Sequence, residues 1–309
     1  MNNSINYNWY PGHMTKARRM MEENVKLVDL VIEIVDARCI QSSENPDIDK
    51  LAKNKARLLL LNKADLADPN KTNAWVAEFK KRGIEAIPLT AKNKVKKKDI
   101  DAAVECACAE IIARNKARGI SGKKIRAMIA GIPNVGKSTF INSYVRRTAT
   151  KTGNKPGVTK GKQWITFGDK IELLDTPGIL WPRFDNQITG QHLAFIGSMN
   201  DQVINIEELA FDLIGFLMKF YPGTFEKRYE VKESYTEEEL TDDYGQEIKP
   251  ALAVMQAIAK KRGCMRRGGD YDYDKVSKLI LEDFRSGRLG RISLEIPKAA
   301  IDRFEIEEK

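Results

Sequence analysis

An α/β fold is what this sequence predicts: a doubly wound, mostly parallel sheet followed by a smaller all-α domain. Three observations carry the prediction. Apolar, β-branched runs alternate with amphipathic stretches through the first part of the chain, the pattern of strands joined by crossover helices. The stretch "GIPNVGKS" (131–138) matches G-x-x-x-x-G-K-[ST] between an apolar run and a helical one, which is the strand–loop–helix setting that motif needs. Beyond residue 185 the apolar period turns helical and stays so.

From the N-terminus, residues 13–27 form an amphipathic helix with Met14, Ala17, Met20, Met21 and Val25 on one side. "LVDLVIEIVDAR" (27–38) and "RLLLLNKADL" (57–66) are continuous apolar runs, as strands buried on both faces of a parallel sheet must be. A helix from about Asn70 carries Trp75, Val76 and Phe79, and "EAIPLTAK" (85–92) is a third strand. "DIDAAVECACAEIIARNKA" reads as one long helix, "KIRAMIAGIP" (124–133) as a fourth strand and "KSTFINSYV" as a helix. "KQWITFG" and "KIELLDTPG" pair as a hairpin about Gly168-Asp169. Helical segments then cover 205–222, 249–263 and 272–290, punctuated by glycines. The expected division is residues 1–185 for the first domain and 186–309 for the second.

Composition narrows the class. With 309 residues, 31% charged and 42% hydrophobic, the chain reads as globular and long enough for two cores. No apolar run approaches the roughly 20 residues that span a bilayer, and the N-terminus lacks a signal peptide's apolar stretch. A cytoplasmic protein with no membrane partner is expected. Cys39, Cys106, Cys108 and Cys264 lack metal-type spacing, and only His13 and His192 accompany them, so no zinc site is expected. Cys106 and Cys108 read as small apolar packing residues on their helix. The net charge is +9 and the basic residues cluster at 92–98, 114–126 and 260–267. Such runs are either solvated faces or a surface for a polyanion, with RNA or DNA the natural candidate.

The motifs name the chemistry. In 131–138, Gly131 and Gly136 let the backbone wrap closely, so its N–H groups point at the phosphates, with Pro133, Asn134 and Val135 the other phosphate-site residues of the loop. Lys137 brings a positive charge to the β- and γ-phosphates, Ser138 a hydroxyl for Mg²⁺, and Thr139 an N–H for the α-phosphate. "LLDTPG" (173–178) supplies D-x-x-G: Asp175 holds Mg²⁺ through water and the Gly178 N–H meets the γ-phosphate. In "KPGVTK" (155–160), Thr159 is the candidate switch threonine that reaches Mg²⁺ when a γ-phosphate is present. Asn62-Lys63-Ala64-Asp65 reads as N-K-x-D: Asp65 pairs with the guanine N1–H and amine, Asn62 bridges base and phosphate loop, and the Lys63 stem lies along the base. "LTAK" (89–92) adds Thr90, Ala91 and Lys92, with the Ala91 N–H expected at the guanine oxygen. GTP and GDP are therefore the expected ligands. The base motif precedes the phosphate loop, the reverse of an ordinary GTPase, so the domain reads as circularly permuted, with all sites meeting at the C-terminal edge of one sheet.

"WYPGHMTKA", "VDAR" (35–38), "NKAD", "GIPNVGKST", "PGVTKGKQW", "DTPGILWP" and the C-terminal "RRGGDYDYDKVSKLILEDFRSGRLG" together resemble the circularly permuted GTPase family of the bacterial ribosome biogenesis GTPase A (YlqF) type. The resemblance spans essentially the whole chain. It implies GTP hydrolysis coupled to late assembly of the large ribosomal subunit, with the helical domain on rRNA. Ile179 stands where many GTPases carry a water-orienting Gln, and an aliphatic side chain cannot polarise water. In the resembled family the histidine of P-G-H-M is the proposed substitute, which falls on His13; helix packing or an rRNA contact is the other reading. Asn134 matches the asparagine that helps coordinate K⁺ in potassium-activated GTPases, or else simply satisfies loop groups. After Arg38 the family's usual apolar-proline pair is replaced by Cys39-Ile40. Lys260, Lys261, Arg262, Arg266 and Arg267 are the candidate phosphate contacts on RNA, while Tyr271, Tyr273 and Phe284 read as core. A monomer is expected. A GTP-gated RNA-binding assembly scaffold with negligible turnover is the alternative to a hydrolysing switch.

Overall fold

A computed structural model of the chain describes residues 12–93, 96–120, 122–145, 164–167, 170–174, 186–241 and 245–298. They fall into two compact units, one of residues 12–174 together with 293–298, the other of residues 186–292.

The first unit is built on six strands: β1 (Leu30–Asp36), β2 (Ala56–Asn62), β3 (Glu85–Pro88), β4 (Ile125–Ala130), β5 (Trp164–Phe167) and β6 (Ile171–Leu174). Their order in the sheet is β3-β2-β1-β4-β6-β5. All neighbours are parallel except the edge pair β5–β6. Every residue of the central β1 is buried, as its unbroken apolar run requires in a sheet covered on both faces. Counting from β4, the strand that leads into the phosphate-loop motif, the order reads 2-3-1-4-5-6. The first strand then lies in the middle, at the point where the winding reverses, where open α/β sheets place their ligands.

The helices of this unit are α1 (Gly12–Asn24), α2 (Ile40–Ser43), α3 (Pro46–Leu51), α4 (Pro69–Lys81), α5 (Lys97–Ala107), α6 (Ala109–Ala117) and α7 (Lys137–Val145). Helix α4 starts where Asp68 accepts hydrogen bonds from the N–H groups of Asn70 and Lys71, with Pro69 in the first turn. It buries Trp75 and Phe79 against Val35, Leu59 and Leu61 of the sheet, and the two rings stack at 5.9 Å. The single long helix expected over 99–117 is two helices, broken at Cys108. Helix α5 buries Ile100, Ala103 and Val104 and lies on β2 and β3, whereas α6 has no buried residue, so packing ends where the break occurs. Cys108 is buried as expected; Cys106 is exposed and its thiol donates to Glu85 at 3.3 Å.

The second unit holds α8 (Gln187–Phe195), α9 (Ile206–Phe220), α10 (Thr224–Tyr229), α11 (Pro250–Arg262) and α12 (Tyr273–Ser286). Helix α9 packs on α11 and α12, and Leu209, Leu213, Leu217, Val254, Ile258 and Ile280 of the three helices are fully buried. Asp283 is fully buried and accepts from Arg228 Nε at 2.7 Å, the Tyr229 hydroxyl at 2.9 Å and Arg288, so its charge is compensated. Phe284 is core as read, but Tyr271 and Tyr273 are only half-buried and tilt against each other. Residues 293–298, expected with these helices, belong instead to the sheet unit, because the Leu294 N–H donates to the Arg38 carbonyl at 2.6 Å. Among the described residues no helix is long and apolar enough to cross a membrane.

Candidate nucleotide-binding site

The apolar runs overhang their strands. Pairing stops at Asp36, Asn62, Pro88 and Ala130, and because these four strands are parallel the residues just beyond them share one edge. Three of the motifs read from the sequence lie there.

The loop after β4 is shaped by close approach. Gly131 has φ +147°, and a Cβ on it would fall on the Ile34 carbonyl; Gly136 has φ +100°, and a Cβ there would fall on the Asn62 amide. Asn134 adopts the left-handed region at φ +61° with its residue exposed, which an Asn tolerates better than most. Lys137 opens α7 and its ammonium donates to the carbonyls of Gly131 at 3.1 Å and Ile132 at 2.8 Å, across the mouth of the loop. Ser138 and Thr139 come next in the first turn of α7, both exposed, where helix N–H groups and dipole favour an anion. Pro133 is half-buried and Val135 fully buried beneath them.

Asn62, 2% exposed, joins this loop to the other two. Its Nδ2 donates to the Val135 carbonyl at 2.6 Å, and its Oδ1 accepts the Ala91 N–H at 2.8 Å. The Ala64 N–H donates to Leu89 O at 3.1 Å, and the Thr90 hydroxyl to Asp65 Oδ1 at 3.0 Å. Asp65 and Lys92 are exposed at the rim. One expectation changes: the Ala91 N–H, given to the guanine oxygen, is engaged by Asn62, so in this structure it ties two loops together.

Sequence reasoning passed over the support beneath Lys63. Asp36, fully buried at the end of β1, is clamped by Arg38 through two bonds of 2.9 Å. The Lys63 ammonium lies 2.8 Å from the same carboxylate. Burial alone would raise the Asp36 pKa, but Arg38 and Lys63 outweigh it and hold the carboxyl well below the usual range. The available signal was "VDAR", an acid and a base two residues apart at the close of an apolar run. Cys39 and Ile40 are both fully buried, so the departure from an apolar-proline pair keeps the apolar packing.

Thr159, Asp175, Gly178 and Ile179 lie outside the described residues. His13 is in the first turn of α1, its side chain likewise outside. Lys260, Lys261, Arg262, Arg266 and Arg267 are all exposed at the end of α11 and just after it. Lys261 is paired with Glu230 at 2.8 Å, and the Arg262 guanidinium lies over the Tyr229 ring at 5.2 Å.

Comparison with known proteins places the chain among GTPases. A family model described as "50S ribosome-binding GTPase" matches residues 126–257, from the strand that carries the phosphate loop onward, leaving the N-K-x-D motif upstream. Ribosome biogenesis GTPase A of Bacillus cereus is 44% identical over 301 residues, covering 97% of each chain. Ribosome biogenesis GTPase A of Thermotoga maritima is 30% identical, covering 94% of each chain. Mitochondrial ribosome-associated GTPase 1 of Bos taurus is 30% identical, covering 93% of this chain and 88% of its own. The crystal structure of GNP-bound YlqF from T. maritima superposes with a TM-score of 0.58 at 25% identity, covering 92% of this chain and 99% of that one. Its GDP-bound structure gives 0.60, covering 91% and 100%.

Fold and motif order together define a GTPase with a circularly permuted P-loop domain and a helical domain after it. Within that class the similarity over nearly the full length is specific: the chain belongs to the ribosome biogenesis GTPase A family. It is a guanine-nucleotide-binding, GTP-hydrolysing protein of ribosome assembly.

Proposed function

We propose that the chain holds GTP or GDP at the C-terminal edge of its sheet and acts late in assembly of the large ribosomal subunit. It binds the precursor particle and its rRNA in the GTP state, and is released by hydrolysis that is slow alone and faster on the particle. The observation that carries this reading is the pair of Asn62 bonds, to Val135 O and from Ala91 N. One buried side chain ties the base motif, its second element and the phosphate loop together across the permuted order. Asp65 at the rim reads guanine, the Lys63 stem covers the base with Thr90 and Lys92 beside it, and the loop from Gly131 to Thr139 takes the phosphates.

Ser138 fits a Mg²⁺ role, its hydroxyl coming directly after Lys137 in the first turn of α7; Thr159 and, through water, Asp175 complete the set. Bound there, Mg²⁺ would supply neutralisation of the phosphate charge. The exposed Asn134 suits K⁺ beside them. With Ile179 unable to orient water, His13 takes that part on the particle. The exposed Lys260, Lys261, Arg262, Arg266 and Arg267 contact rRNA phosphates. The protein works as a cytoplasmic monomer.

Steady-state GTP hydrolysis in K⁺ buffer, with and without purified large ribosomal subunits, tests this for wild type and His13→Ala. Expected is a marked stimulation that His13→Ala removes while GTP still binds. Tight GTP binding with no stimulation would replace the hydrolysing switch by a GTP-gated scaffold.

A further inference from the structure

We infer that Ser293, Leu294 and Glu295 are positioning residues of the nucleotide site, a strap whose grip on two loops sets how fast guanine nucleotide leaves. The inference rests on the base-site reading above.

The helical unit ends at residue 292, and the chain returns at once to the sheet unit. There the Leu294 N–H donates to Arg38 O at 2.6 Å. The Glu295 carboxylate accepts the Ser42 N–H at 3.1 Å and the Ser42 hydroxyl as well. Ser293 Oγ accepts the Asp68 N–H at 3.1 Å, and Trp75 Nε1 donates to Glu295 O at 3.4 Å. Ser293 and Leu294 are buried. Three residues therefore span the loop after β1 and the start of α4.

Those two anchor points bracket the base motif. Arg38 clamps Asp36, and Asp36 holds the Lys63 ammonium. Asp68 lies three residues beyond Asp65 and caps α4. The segment from Lys63 to Asp68 is thus tied at one end through Asp36 and Arg38, and at the other directly through Ser293. Such restraint is needed locally, because Lys63 sits at φ +61°, a conformation that is strained for a non-glycine residue and persists only where its surroundings over-determine it. Slackening the strap lets this segment relax and weakens the grip on the base. The γ-phosphate plays no part, so GDP and GTP suffer alike. In sequence the helical unit lies immediately before the strap, which gives a partner pulling on that unit a covalent handle on nucleotide release.

The experiment uses the full chain and fluorescent GDP and non-hydrolysable GTP analogues, with dissociation rates read by stopped flow. Glu295→Ala should speed release of both nucleotides by about tenfold, the factor that about 1.4 kcal/mol of lost positioning gives. Glu295→Gln keeps an acceptor for Ser42 and should restore the wild-type rate, which a general loss of stability would not do. Amide exchange over residues 37–42 and 63–68 should quicken in Glu295→Ala, a reading that needs no nucleotide. Unchanged rates and exchange, or an effect on one nucleotide alone, would overturn the strap. Asp65→Asn separates the two layers: if it fails to shift preference toward xanthine nucleotides, the base-site reading itself is overturned. If that shift occurs while Glu295→Ala has no effect, only the strap is overturned.

Discussion

Gly136 shows how one residue can be decided twice over, by its φ of +100° and by the Asn62 amide where a Cβ would have to go. Gly136→Ala should therefore lower stability by about 1–3 kcal/mol and abolish GTP binding, seen as a lower melting temperature and no heat on titration. An alanine that binds GTP normally would mean the loop need not meet Asn62. Asp36 is the second such residue. Asp36→Ala strands the Arg38 guanidinium, 1% exposed, and removing one partner of a buried pair costs about 3–5 kcal/mol. Denaturant unfolding should show that loss, and a change within about 0.5 kcal/mol, the spread of ordinary surface substitutions, would argue that water reaches the pair. The glycines and the N-K-x-D residues were legible because their spacing is a chemical code. Of the Asp36–Arg38–Lys63 cluster only the Asp36–Arg38 pair is local; Lys63 becomes its neighbour only when β1 and β2 pair in register, Asp36 beside Asn62.

At the scale of elements, β1 carries an acid in the middle of its apolar run. Glu33 is fully buried, accepting the Asn45 N–H at 2.9 Å and facing Arg57 at 2.8 Å. Burial raises its carboxyl from 4.5 to about 7 although Arg57 and Asn45 pull the other way. A raised native pKa means the folded chain keeps its proton longer than the unfolded one. Stability from this group is accordingly full below about 4.5 and falls as pH climbs toward 7. Asp36 runs opposite: its depressed pKa makes its contribution present above the ordinary carboxylate range and lost as pH drops below it. Glu33→Gln should flatten the fall in melting temperature between about pH 5 and 7, the window its raised carboxyl spans; a slope equal to that of wild type would remove Glu33 as its source. Strand existence was readable from apolar runs, but their ends were not. The periodic signal runs on through residues that leave the sheet, and those overhangs form the candidate site. The split of α5 from α6 escaped for a related reason, because composition is continuous across Cys108 while packing stops there.

For the whole molecule, the charge excess and the exposed basic end of α11 bear on partner binding. The double variant Lys260→Ala, Arg267→Ala should weaken binding to large-subunit particles and reduce the slope of log affinity against log salt by about 2, one for each lost phosphate contact. Both residues are exposed, so melting should be unchanged. An unaltered salt slope would move the RNA face elsewhere. The order of motifs along the chain was enough to read the permutation, since each motif names its own strand end and a closed set of parallel strands keeps those ends together wherever the chain is cut. By itself the sequence determined the α/β sheet, the helical domain, the guanine-nucleotide chemistry and the permuted order, because these are written in local spacing and period. Only the tertiary structure decided that Asn62 is the common tie of three loops and that Asp36 carries both Arg38 and Lys63. It also decided that residues 293–295 return to the sheet unit. Apart from Asp36–Arg38, these contacts join residues far apart in sequence, through backbone groups and polar or charged side chains that carry no periodic signal.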